Sequence, residues 1–255
     1  MNQLNTKYVG KVLLHFDELT STNDYARILA NETSTHEGTV IMADQQSKGR
    51  GQMGSAWESA PGQNLTASII LRPIWLRADL QSALSKAISL AVYDAILSVI
   101  NIENIWIKWP NDLIINKKKI SGILIENTIS GQNLSTAIVG IGINVNQTHF
   151  SPSLTHAGSL QQITGQTIDT AILAVSLFEK VEYWYEILKA NGAEAIQTAY
   201  LQRLLGYQKE RNFLLPKANT VFQGTIVNVD IEGRLCVATK EGVQKFLVKE
   251  IAIEL

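Results

Sequence analysis

The 255-residue sequence predicts an α+β chain, a mixed sheet with helices packed on it followed by a small β-rich unit, on three observations. Two long stretches place apolar residues at steps of three and four, the pattern of a helix that buries one stripe. The short runs of β-branched residues around them do not alternate one for one with helices, which argues against a doubly wound parallel sheet. From about residue 208 the chain turns to β-branched and aromatic residues, with Gly224, Gly233 and Gly242 nine apart. That is the spacing of tight turns in a small antiparallel barrel, so residues 1–207 are expected to form one domain and 208–255 a second.

Taken in order, Ser21-Thr22-Asn23-Asp24 ahead of Tyr25 to Ala30 offers a side-chain cap and an early acid, the start of a short helix. Thr39 to Ala43 reads as a strand, a glycine-rich loop runs from Gln46 to Trp57, and Leu65 to Leu71 reads as a second strand. Leu80, Leu84, Ala87, Ala91, Ala95 and Val99 mark one long helix. Strands follow at Ile105 to Trp109, Leu113 to Ile115, Ile120 to Glu126 and Thr136 to Val145, with Asn116-Lys117-Lys118-Lys119 as a hairpin connection. A second helix is expected from about Asp169 to Ala190, with Ile172, Val175, Phe178, Val181, Tyr185 and Leu188 on its stripe and Gly192 just past its end. The helices are expected on one side of the sheet.

Composition narrows the function classes. Hydrophobic residues make up 45% and charged residues 18%, enough for a real core and wrong for disorder. Twenty-two basic against 23 acidic residues leave a net charge of −1, with no overall drive toward DNA or anionic lipid. The single Cys236 cannot form an intramolecular disulfide, which fits a reducing, cytoplasmic setting. The first seven residues lack a signal-peptide apolar region, and Ser89, Asp94 and Ser98 interrupt the most apolar stretch, so no membrane anchor is expected. His15, His36, His149 and His156 lack metal-ligand spacing, and no Ser, His and Asp arrangement suggests an acyl-enzyme.

Three stretches carry chemistry. Gly49-Arg50-Gly51-Gln52-Met53-Gly54 matches G-x-G-x-x-G literally, but Pro61 and Gly62 follow where a dinucleotide fold needs a helix. It reads either as a loop whose amides, with Lys48 and Arg50, close over an anion, or as a solvated surface loop. In Ile138 to Val145 the faces alternate, so Gly140, Gly142 and Asn144 share one side, bare for a ligand or for a closely packed helix. Lys108-Trp109-Pro110-Asn111-Asp112 is an ordinary turn or, with Lys119 on the paired hairpin, a site where Asp112 helps hold Mg²⁺ while lysines neutralise phosphate oxygens.

Together Ser21-Thr22-Asn23, Gln46 to Gly54, Trp57, Asn64-Leu65, Lys108 to Asp112, Lys119 to Glu126 and Gly140 to Asn144 resemble the ordered motif series of the biotin–protein ligases. The resemblance implies a catalytic domain similar to class II aminoacyl-tRNA synthetase cores and a C-terminal SH3-like barrel. It implies a two-step reaction: biotin and Mg-ATP give biotinyl-5′-AMP, and the biotinyl group passes to a lysine of a biotin carboxyl carrier protein, as in acetyl-CoA carboxylase. By motif, Ser21, Thr22, Asn23 and Gln46 should take the ureido end of biotin, with Arg50, Gly51, Gln52, Lys119 and Gly122 nearer its carboxylate. Gly49, Arg50, Trp57, Asn111, Lys119, Gly140, Gly142 and Asn144 should hold ATP, Trp57 by stacking on adenine. Lys119, Arg50, Asp112 and Lys108 are the expected catalytic set, with Asp112 toward Mg²⁺.

Two departures stand out. The family loop often reads G-R-G-R-x-G-R, whereas Gln52 and Ser55 hold the later arginine positions here. About 20 residues precede the first motif, too few for the helix-turn-helix of the repressor members, so no DNA partner is expected. A homodimer is expected from the family. The rival readings are a lipoate ligase or octanoyltransferase, which share the general fold, and a biotin-binding sensor without turnover.

Overall fold

The computed structural model describes residues 4–32 and 34–254. Its larger sheet has seven strands: β1 (Leu13–Leu19), β2 (Val40–Gln46), β3 (Leu65–Leu71), β4 (Ile105–Lys108), β5 (Asp112–Ile115), β6 (Lys118–Ser130) and β7 (Asn133–Ile143), in the order β1-β2-β3-β7-β6-β5-β4. The β1–β2 pair is parallel and every other pair antiparallel, the mixed sheet expected. The β5–β6 hairpin turns on Asn116 and Lys117, both at positive φ (47° and 65°). β1 itself escaped the sequence reading, because an edge strand exposed along much of its length carries no continuous apolar run.

Helices cover both faces rather than one. α2 (Gln81–Val99) packs with α4 (Thr170–Arg203) over one side, sharing a core with Ile69, Leu71, Val139 and Ile141. The short α1 (Thr22–Ala30) lies on the other side, where Ala26 packs with Ile41, Ile70 and Ile138. Strand alternation forces this split, since Ile70 and Ile138 point away from Ile69 and Val139. α2 is apolar enough by composition to cross a membrane, yet 61% of its most apolar window is buried inside the chain. A small helix α3 (Leu160–Thr164) is closed by a capping box at Ser159 and Gln162.

Two details of the second helix differ from expectation. Gly192 does not end it: the residue turns at φ 78°, and helix resumes as far as Arg203. The buried stripe runs through Leu173, Leu177, Phe178, Val181, Trp184, Tyr185 and Leu188, which leaves Ile172 exposed at 46%.

The C-terminal residues form a second, five-stranded antiparallel sheet from β8 (Glu210–Leu215), β9 (Thr220–Val229), β10 (Leu235–Thr239), β11 (Gly242–Phe246) and β12 (Ala252–Ile253), ordered β11-β10-β9-β8-β12. It is compatible with an SH3-like unit. Gly233 and Gly242 sit at turns with positive φ, as expected. Gly224 does not; it lies inside β9, where a Cβ would run into Val237, so close packing explains it.

Segment 228–233 fastens this sheet to the body built on the larger sheet. Trp109 Nε1 donates to the Gly233 carbonyl (2.9 Å) and Ser82 Oγ to that of Ile231 (2.7 Å). Lys86 Nζ donates to the carbonyls of Val229 (3.0 Å) and Asp230 (3.1 Å) and to Gln197 Oε1 (2.7 Å). Burial pushes the Lys86 ammonium down to about 8, with the charge of Asp230 opposing part of that desolvation.

Candidate active site

On the α1 side of the sheet the strands are stripped of bulk. Thr66 pairs with Gly142, Ser68 with Gly140, and Gly122 with Gly142 across β3, β7 and β6. Each bare glycine is roofed by polar or aromatic side chains. A Cβ on Gly140 would overlap the Asn23 amide, and one on Gly142 the Trp57 indole. One on Gly122 would meet the Trp57 ring at 3.0 Å and the Lys119 ammonium at 3.5 Å. What approaches these glycines is therefore side chains, Asn23 from the first turn of α1 and Trp57 and Lys119 from elsewhere, and these line a cleft of about 230 Å³.

One end of the cleft is a hydrogen-bonded polar wall. Ser21 caps α1, with its Oγ accepting from Asp24 N at 3.4 Å, and so presents Thr22 and Asn23 to the cleft. Gln46 Oε1 accepts from Thr22 N (2.8 Å) and Thr22 Oγ1 (3.1 Å). Ser68 Oγ bridges Thr22 Oγ1 (2.7 Å) and Asn23 Oδ1 (2.6 Å), while Asn23 Nδ2 donates to Glu126 Oε2 (2.8 Å). Glu126 also takes the Arg50 guanidinium at 2.6 Å, and Asp24 sits 3.1 Å from the same Arg50 nitrogen. Arg50 is thus tied across the cleft from loop to sheet.

The other end is cationic and aromatic. Lys119 Nζ lies 2.7 Å from Asp112 Oδ1 and 5.9 Å from the Trp57 ring centre. Lys108 pairs with Asp112 across β4 and β5; burial holds its ammonium below the usual lysine value, with Asp112 opposing and Lys119 adding to the shift. Asn111 lines the wall, its Nδ2 donating to the Ile123 carbonyl, and the preceding Trp109–Pro110 bond is cis. The Trp57 indole N–H is buried without a partner. Buried donors in that state are uncommon, and a bound base would supply an acceptor.

The loop between the ends carries Gly51 and Gln52 on the cleft wall and turns at Met53, φ 52°. Three expected residues do not line the cleft. Gly49 pairs with Trp57 through backbone (Trp57 N to Gly49 O, 2.9 Å) and closes the loop base. Lys108 stands behind Asp112. Asn144 is buried, donating to the Gly158 carbonyl at 3.0 Å, with its Oδ1 unpartnered. Conversely Thr66 on the wall, and Ser68 and Glu126 bonded behind it to Thr22, Asn23 and Arg50, were assigned no role from sequence, although two hydroxyls two residues apart in the otherwise apolar β3 mark one polar face.

Comparison with known proteins assigns the chain to a family. Residues 15–144, the span holding every motif above, match the model of the biotin/lipoate A/B protein ligase family. The chain belongs to that family. Over 254 residues it is 36% identical to the bifunctional ligase/repressor BirA of Bacillus subtilis, covering 98% of this chain and 76% of that protein. It is 33% identical to the biotin–[acetyl-CoA-carboxylase] ligase of Paracoccus denitrificans, over 64% of this chain and 69% of the other. The biotin protein ligase of Aquifex aeolicus, solved with biotin and ATP, superposes with a TM-score of 0.77 at 27% identity, over 96% of this chain and 99% of that one. That ligase thus shares this architecture over nearly its whole length.

Proposed function

We propose that the cleft is the site of an ATP-dependent biotin–protein ligase that makes biotinyl-5′-AMP and passes the biotinyl group to a lysine of a biotin carboxyl carrier domain. In the first step a carboxylate oxygen of biotin bonds to the α-phosphorus as the bond to pyrophosphate breaks. In the second, the lysine amine bonds to the acyl carbon, AMP leaves with its oxygen, and the amine gives up a proton. Neither step needs a nucleophile from the enzyme, and among the described residues neither His nor Cys lines the cleft.

The observation that carries this reading is Lys119, whose ammonium is held by Asp112 beside Trp57 where a carboxylate and an α-phosphate would meet. A fixed positive charge at that point stabilises the negative charge of the transition state and costs no reorganisation when it forms. Thr22, Asn23 and Gln46, aligned by Ser68 and Glu126, supply matched donors and acceptors for a ureido group. The exposed part of Trp57 offers a face to adenine. Mg²⁺ belongs to the same proposal: Asp112 is the one carboxylate on the cleft wall among the described residues, and Mg²⁺ commonly uses one or two carboxylates with substrate phosphates.

Two further parts are proposed with it. A cytoplasmic setting is supported by Cys236, a free and buried thiol. Self-association into a homodimer is supported by residues 125–130 of β6, which run on beyond the last pairing with β5 and leave Ile129 53% exposed; a monomer mass by light scattering with biotin and ATP present would remove it. Biotin-dependent exchange of labelled pyrophosphate into ATP tests the main reading. A ligase shows it, a lipoate enzyme ignores biotin, and a sensor binds biotin without exchange.

A further inference from the structure

The tip of the glycine-rich loop, residues 52–55, is bonded mostly to itself. Gly51 N donates to Ser55 O (2.7 Å), Ser55 N to Gln52 O (3.1 Å) and Ser55 Oγ to the same oxygen (2.8 Å). These bonds shape the tip without tethering it. Among the described residues one hydrogen bond ties the tip to the rest of the chain: Lys249 Nζ, in the turn that joins β11 to β12 of the C-terminal sheet, donates to the Met53 carbonyl at 3.2 Å. Both partners are non-glycine residues with left-handed backbone, Met53 at φ 52° and Lys249 at φ 69°. A turn of that kind re-aims a side chain at some conformational cost.

The neighbouring Val248 lines the cleft itself, so the C-terminal sheet forms part of the chamber wall. That sheet is also a fixed post, since Trp109, Ser82, Lys86 and Gln197 hold segment 228–233 against the catalytic body. A rigid anchor that reaches an otherwise untethered loop is placed to set how long the loop stays closed. The position matters more here because Gln52 and Ser55 give the loop no charged group at its tip.

We propose that Lys249 is a positioning residue through which the C-terminal sheet clasps the loop over the acyl-adenylate and slows its escape. The proposal rests on the ligase reading. Loss of the clasp leaves Lys119 and its surroundings untouched, so the adenylate forms at the normal rate and leaks faster. Hydrogen bonds to charged groups are the stronger class, and exposure of this one discounts it, so the expected change is about 3- to 10-fold.

The experiment measures release of preformed biotinyl-adenylate by stopped-flow tryptophan fluorescence, alongside biotin-dependent pyrophosphate exchange and thermal melting. Lys249→Ala should release faster with exchange and melting unchanged, Lys249→Arg should restore slow release, and Lys240→Ala, at an exposed site away from the loop, should match the wild type. Unchanged release in Lys249→Ala overturns the clasp, as does a parallel fall in exchange. Absence of biotin-dependent exchange in the wild type would instead overturn the ligase reading, and the clasp with it.

Discussion

The polar wall of the cleft and the tip of the loop that covers it are built in opposite ways. At the wall formed by Thr22, Asn23 and Gln46 and backed by Ser68, side-chain oxygens sit between fixed neighbours, and Thr22, Asn23 and Ser68 are each under 5% exposed. At the loop tip, Met53 is 63% exposed and a single lysine reaches in from elsewhere. Preorganised polar groups give selectivity, because a wrong substrate leaves them buried and unpaired. A loosely held loop gives passage, since reactants must enter and a carrier lysine must reach the intermediate. One molecule thus divides recognition and retention between a rigid face and a movable one.

The deepest cut into this comparison is Lys119→Ala, which removes the charge that stands between the polar wall and the covering loop's reach, at the cationic end of the cleft. Adenylate formation should fall about 10²–10³-fold, or roughly 2.7–4 kcal/mol, in a protein that melts normally. Near-normal exchange in the folded variant would place the transition-state charge elsewhere.

A paired substitution separates the two ends. Gly140→Ala drives a methyl into the Asn23 amide, and Gly142→Ala drives one into the Trp57 indole. The first should raise the KM for biotin and the second the KM for ATP, each on the order of tenfold, from a displaced buried hydrogen bond in one case and a lost stacking surface in the other. Both variants raising both constants alike would mean that the bare strip is only packed sheet.

The sequence made much of this legible for reasons that the structure explains. β3 matched residue for residue because a strand buried on both faces stays largely apolar, here broken only by Thr66 and Ser68, and the α2 stripe matched because a helix between sheet and helix must keep one face apolar. Alternation in β7 showed that Gly140 and Gly142 share a face. It did not show that Asn23 and Trp57, separated by more than 80 residues from those glycines, would fill the space. Nor could it show Arg50 bound by Glu126 and Asp24, or Lys249 against Met53. Such pairings depend on which strands become neighbours, and local periodicity is silent on that.

The smallest expected effect lies at Gln52, and it sharpens the comparison most finely. Biotinyl-adenylate is a mixed anhydride that must be kept from water and stray amines until a carrier arrives. Gln52 lines the cleft and also the adjoining hollow beside Pro110 and Asn111, so its side chain stands between the reacting centre and an open flank. Its amide offers only neutral hydrogen bonds, whereas an arginine there would make charge-assisted bonds to the phosphate, roughly twice as strong. On a half-exposed loop much of that gain is screened, so Gln52→Arg should slow adenylate release about threefold. If the loop closes as one unit, the arginine and the Lys249 clasp hold the same closed state. Lys249→Ala should then speed release less in the Gln52→Arg background than in the wild type, because a loop held at one point loses less when the other is removed. Stopped-flow release in the four proteins decides it. Release from Gln52→Arg that equals or exceeds the wild type would mean that position 52 does not guard the intermediate, and equal Lys249 effects in both backgrounds would mean that tip and clasp act on different motions.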